Sequence, residues 1–145
     1  MSRRMAYWRC HYHLIWSTRE RLPVLDEARA DVVARCIKAI SAEDQLKLHA
    51  VGMVDDHVHV AVSIPPRHSV ASIVQHFKGS SSHQLGKLQS DTIDRWPGWQ
   101  AEYGVLTFGQ QSLDRIVAYV ANQKSHHESN TLWNALERIR ADVSP

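Results

Sequence analysis

His57-Val58-His59 sets two imidazoles two residues apart within an alternating stretch. In a strand, residues i and i+2 point to the same side, about 6–7 Å apart, so two such rings can converge on one metal ion. They leave the coordination shell incomplete, and a further ligand must come from elsewhere. His11-Tyr12-His13 has the same spacing and is a rival pair. Spacing alone equally fits two surface histidines on a half-exposed strand. A second group lies between Ser112 and His127, where Leu113, Ile116, Val117 and Val120 form an apolar stripe at helical spacing. At about 100° per residue Tyr119 falls well off that stripe, and Gln123 follows one turn later on the same flank. Tyr119 there reads either as a half-exposed flank residue or as a phenolic nucleophile beside an amide oxygen that can bind a hard cation.

Other side chains suit phosphate. The segment from Met1 to Arg21 carries five arginines (Arg3, Arg4, Arg9, Arg19 and Arg21) against Glu20 alone. A local basic patch is the electrostatic footprint of a phosphate-bearing partner, although a solvated strip has the same composition. Lys78 and Ser81 lie away from the apolar stripe of their helix and are of types that contact phosphate. Trp96 and Trp99 could stack on bases or plug a core edge. Neither a phosphate-binding glycine loop nor a serine nucleophile elbow is present, so no nucleotide cofactor is expected.

These groups need a frame to position them. The chain has 145 residues, 43% apolar and 22% charged, with a net charge of +2. That is the size of one domain with a sizeable core. We place a catalytic domain at residues 1–130 and a short tail or helix at 131–145. No apolar run approaches 18 residues, and there is no apolar leader after the first methionine, so neither a membrane span nor secretion is expected. Two cysteines, Cys10 and Cys36, are too few for a disulfide framework and point to a reducing cytoplasm.

Period-two alternation predicts strands over residues 7–16, 46–53, 57–64 and 102–108. Helical periodicity predicts helices over 27–43 behind Asp26, from Ser69 onward, and over 112–127, with a short terminal helix at 131–140. The Gly79 and Ser80–Ser82 run weakens the middle of the second helix, and residues 91–100 read as a loop. The order is that of an α+β, ferredoxin-like βαββαβ antiparallel sheet with an extra C-terminal helix. In that topology the first and third strands are central neighbours. Their apolar sides turn to two helices, which predicts a polar face carrying Arg9, His11, His13, His57 and His59.

Taken together the motifs resemble one family, the HUH single-strand DNA transposases with one catalytic tyrosine. This group includes small insertion-sequence transposases and repeat-associated tyrosine transposases. The matching stretches are Tyr12-His13-Leu14-Ile15-Trp16, Arg21-Leu22-Pro23-Val24-Leu25 and Asp56-His57-Val58-His59-Val60. Ser63-Ile64-Pro65-Pro66, Phe77-Lys78-Gly79-Ser80-Ser81, and Trp99 with Tyr103 follow in order. Tyr119-Val120-Ala121-Asn122-Gln123 closes the series, with His126-His127 behind it. The paired histidines combined with the downstream tyrosine and glutamine are the specific part.

The resemblance implies cleavage and rejoining of single-stranded DNA at insertion-sequence ends, with Tyr119 as nucleophile and a 5′-phosphotyrosine intermediate. It implies a divalent ion, Mg²⁺ or Mn²⁺, held by His57, His59 and Gln123. His13 and Asp56 are assigned orienting roles behind those ligands. Arg19, Arg21, Lys78 and Ser81 are assigned DNA contacts. The implied partners are hairpin-forming DNA ends and a second copy of the chain, in a two-fold dimer whose active sites use Tyr119 from either subunit. Two rival readings are a non-catalytic single-strand-binding module, and a metal-dependent nuclease using water, which would survive Tyr119→Phe.

Overall fold

In a computed structural model, residues 6–88, 95–129 and 131–140 are described. The alternating segments form four strands: β1 (His11–Ser17), β2 (Lys47–Met53), β3 (His57–Ser63) and β4 (Gly104–Phe108). The helices are α1 (Glu27–Glu43), α2 (Val70–Lys87), α3 (Leu113–Ala121) and α4 (Gln123–Ser129). The sheet order is β2-β3-β1-β4, with all neighbours antiparallel. This is the α+β, ferredoxin-like order expected, with the two histidine-bearing strands side by side in the centre. Arg3, Arg4 and residues 91–94 of the expected loop lie outside the described residues.

Local chemistry sets the helix starts. The Asp26 carboxylate accepts the Arg29 N–H at 2.9 Å, and Ser69 Oγ accepts the Ser72 N–H at 3.1 Å. Each cap is worth about 1 kcal/mol. α2 runs unbroken through Gly79 and the serine run, because its other face is anchored in the core by Ile73, Val74, Phe77 and Leu85. That burial outweighs the weak propensity of the middle.

The even-numbered residues of β3 (Val58, Val60 and Val62), with Leu14 and Trp16 of β1, pack in one cluster with α1 and α2. The opposite face was expected to be polar. It is covered: Ala61 packs with Ile116, Tyr119, Val120 and Leu136 in a second cluster. His11, His13, His57 and His59 are all buried. The polar pattern was real in residue type, but α3 and the C-terminal segment close over it.

Two glycines permit that closure. A methyl group built on Gly52 would overlap the Val120 carbonyl, and one on Gly104 would overlap the Arg138 carbonyl. The backbones of α3 and of the C-terminal segment therefore touch the sheet directly. The single helix predicted over 112–127 is two. Asn122 leaves helical geometry at φ −108° and ψ 32°, which ends α3 before α4 begins. The tail expected as a short helix contains one 3-10 turn, Asn134–Glu137, with Leu136 buried against the sheet side.

Candidate active site

The register of the central strands brings the histidines together. His13 pairs with Ala61, so His59, two residues along β3, is its diagonal neighbour. His13 Nε2 lies 2.8 Å from His59 Nδ1. His57 Nδ1 lies 2.6 Å from Asp56 Oδ1 at the turn before β3. Each of the paired histidines thus has its Nδ1 engaged from behind, which leaves Nε2 free to face forward.

Both Nε2 atoms face one carboxylate. Glu137 Oε1 is 3.1 Å from His57 Nε2, and Glu137 Oε2 is 3.2 Å from His59 Nε2. His127 Nε2, arriving from α4, is 3.4 Å from Oε1. The Tyr119 hydroxyl donates to Oε2 at 2.5 Å and accepts the Trp133 N–H at 2.9 Å. Tyr119 is 5% exposed. The half-exposed flank alternative does not hold for it: the C-terminal segment folds over the ring, and His126 stacks on it at 4.5 Å.

The electrostatics follow from this crowding. Burial would raise the Glu137 carboxyl, but its contacts with His57, His59 and Tyr119 outweigh it and hold the group well below the usual carboxylate range. Burial would lower His57, yet Asp56 and Glu137 raise it. Burial lowers His59, and pushes His13 down to about 3 with help from the His59 charge, so His13 is neutral. Burial and the Glu137 hydrogen bond push the Tyr119 phenol up to about 12. In this arrangement the phenol is held protonated.

Gln123 is buried; its Nε2 donates to the Tyr119 carbonyl at 3.1 Å, and its Oε1 is buried with no partner. His59 Nε2 and His127 Nε2 likewise lack an aligned hydrogen bond. A buried, orphaned amide oxygen is costly unless something else meets it. His57, His59, His127 and Glu137 each offer a donor atom, all within 4.8 Å of one another. The donor chemistry fits a divalent cation.

The other expected contacts divide. Arg19 and Arg21 are exposed on the 3-10 turn after β1. Arg21 lies at the rim, its Nε 3.6 Å from Asp56 Oδ2. Ser81 is corrected: it is fully buried, donates to the Phe77 carbonyl at 2.6 Å and accepts the Trp99 indole N–H at 3.1 Å. It anchors Trp99 and is closed to a DNA backbone. The half-buried Lys78 ammonium donates to the Gln100 and Ala101 carbonyls at 2.6 and 3.2 Å. It ties α2 to the chain entering β4. The rival pair also separates: His11 bonds Ser63 Oγ and Gln110 Oε1, away from the tyrosine.

Sequence reasoning missed His127 and Glu137 as members of the site. His127 was within reach, lying four residues after Gln123 and eight after Tyr119 on one helical flank. Glu137 carried no signal. It belongs to a segment without periodicity, brought in by a chain reversal after α4.

The chain was compared with known proteins. The family model described as "Transposase IS200 like" matches residues 6–123. The ISDra2 transposase TnpA of Deinococcus radiodurans is 27% identical over 119 residues, 80% of this chain and 85% of that protein. The transposase of insertion sequence IS200 from Salmonella typhimurium is 26% identical over 120 residues, covering 80% and 78%. Among solved structures, a putative transposase from Deinococcus radiodurans aligns with a TM-score of 0.62 and 28% identity, over 85% of this chain and 98% of that one. A REP-associated tyrosine transposase bound to a REP hairpin aligns with a TM-score of 0.64 over 88% and 74%; at 16% identity it attests the fold. With the family model spanning most of the chain, paired histidines and tyrosine included, this protein belongs to the IS200-like transposase family and is an enzyme of that class.

Proposed function

We propose that the protein cuts and rejoins single-stranded DNA at insertion-sequence ends through Tyr119. The observation that carries this reading is convergence: the Tyr119 hydroxyl and the Nε2 atoms of His57 and His59 gather around one carboxylate within one chain. A group that can attack phosphorus and groups that can hold a cation beside it are thus within a few ångströms. Tyr119 Oη attacks the scissile phosphorus, a 5′-phosphotyrosine forms, and the 3′-oxygen leaves as a hydroxyl. The reverse attack by a second 3′-hydroxyl joins strands, and the phosphodiester energy is conserved in the covalent bond.

His57, His59 and Gln123 would hold the divalent ion, Mg²⁺ or Mn²⁺. When bound, the ion supplies charge stabilisation at the phosphoryl oxygens. Asp56 and His13 fix the rings of His57 and His59 from behind. Burial disfavours a free phenolate, so Tyr119 must give up its proton as it attacks, and Glu137, which accepts its hydroxyl hydrogen bond, would take that proton. Arg19 and Arg21 flank the rim and would meet the DNA backbone.

The hairpin bound by the structural neighbour supports hairpin-forming ends as the substrate. A homodimer would bring two cut ends together, each held by one tyrosine. Among the described residues no helix is long and apolar enough to cross a membrane, which accords with a cytoplasmic enzyme acting on DNA.

The test is a strand-joining reaction on a labelled single-stranded element end with Mn²⁺ or Mg²⁺ and no ATP. Joined product is expected from the wild type. His57→Ala and His59→Ala should each lose at least about 3 kcal/mol of transition-state stabilisation, a hundredfold or more in rate. Cleavage without joining, persisting in Tyr119→Phe, would instead mark a nuclease that uses water.

A further inference from the structure

The C-terminal segment contributes more to this site than cover. Glu137 comes from the 3-10 turn Asn134–Glu137, which no expectation tied to the chemistry. Its two oxygens stand 3.1, 3.2 and 3.4 Å from three imidazole Nε2 atoms. The first contact is a hydrogen bond, and all three separations also suit donors that share one ion through bonds of about 2.0–2.1 Å, which lie roughly 3.0–3.4 Å apart. Two of the three nitrogens, His59 Nε2 and His127 Nε2, are buried without an aligned hydrogen bond. The Nδ1 of His59 does not compete, because it meets His13.

We propose that His127 and Glu137 are resident ligands of the metal site, making it a three-imidazole, one-carboxylate centre in the DNA-free protein. The inference rests on the reading of His57 and His59 above and extends it to ion class. Three neutral nitrogen donors favour first-row transition ions over Mg²⁺, which prefers oxygen ligands and keeps its water. The site therefore selects Mn²⁺, Co²⁺ or Zn²⁺ over Mg²⁺. The same carboxylate holds the Tyr119 hydroxyl, so the C-terminal segment ties ion and nucleophile into one unit.

The test reads metal binding rather than activity. Calorimetric titration of the full chain with Zn²⁺, Co²⁺ and Mg²⁺ should give one site, with Zn²⁺ and Co²⁺ at least a hundredfold tighter than Mg²⁺. His127→Ala and Glu137→Ala should each weaken Co²⁺ binding tenfold or more. A second measurement needs no variant: in ¹⁵N-resolved spectra of the wild type, Zn²⁺ should shift Nε2 of His57, His59 and His127 together. Unmoved His127 Nε2, or Co²⁺ affinity unchanged or strengthened in Glu137→Ala, would overturn the proposal while leaving the histidine pair intact. Equal affinity for Mg²⁺ and Co²⁺ would overturn the selectivity. If instead His57→Ala and His59→Ala bind as the wild type does, the failure lies in the underlying site.

Discussion

His13 Nε2 lies 2.8 Å from His59 Nδ1, across the β1–β3 ladder and under full burial. One imidazole therefore fixes the rotation and tautomer of another. Because burial keeps His13 neutral, it can donate or accept without adding charge beside the ion. Partners behind a metal ligand typically carry 10–100-fold in affinity. His13→Ala should weaken Mn²⁺ binding by about that factor in a calorimetric titration. Unchanged affinity would remove the orienting role.

Gly52 sets how closely α3 approaches β2. Gly52→Ala places a methyl group against the Val120 carbonyl, one residue from Tyr119. Overpacking of this kind costs about 1–3 kcal/mol. A displacement of about 1 Å at the nucleophile can lower the rate a hundredfold. The matched control is Gly86→Ala, which meets open space on α2 and should raise stability slightly. Thermal melts and cleavage rates of the two variants should move in opposite directions; parallel behaviour would show that the close approach does not position Tyr119.

Ser81 and Arg21 should separate structure from DNA binding. Ser81→Ala leaves the Trp99 indole N–H unpaired inside the core, a loss of about 1–3 kcal/mol in stability. It should leave oligonucleotide affinity unaltered. Arg21→Ala, at an exposed side chain, should weaken single-strand binding and reduce the salt slope by about one. Fluorescence anisotropy at several salt concentrations reads both. A salt slope unmoved in Arg21→Ala would take that arginine out of the interface.

The sheet was legible because its strands alternate cleanly. Val58, Val60 and Val62 specify one buried face, and the helix caps at Asp26 and Ser69 mark where α1 and α2 begin. That His57 and His59 share one side of their strand, and Tyr119 and Gln123 one flank of the helix region, was legible because a strand's period is two and a helix's near four. Three features were not. The break at Asn122 has no proline or glycine to announce it. The burial of the polar face depends on Gly52 and Gly104 admitting backbone where pattern suggests solvent. Glu137 reaches the site by a chain reversal, which no local period records. Ser81 was misassigned for a related reason: its residue type fits phosphate, but the loop carrying Trp99 folds back and buries it.

The central claim is that Tyr119 forms the covalent link to DNA. The wild-type protein is incubated with a single-stranded element end and a divalent ion, denatured and digested with trypsin. Cleavage after Arg115 and Lys124 releases residues 116–124, whose one tyrosine is Tyr119. Mass spectrometry should find this peptide bearing a 5′-linked nucleotide, and Tyr119→Phe should give no adduct. A nucleotide on any other peptide, or cleaved DNA with residues 116–124 unmodified throughout the reaction, would contradict the account.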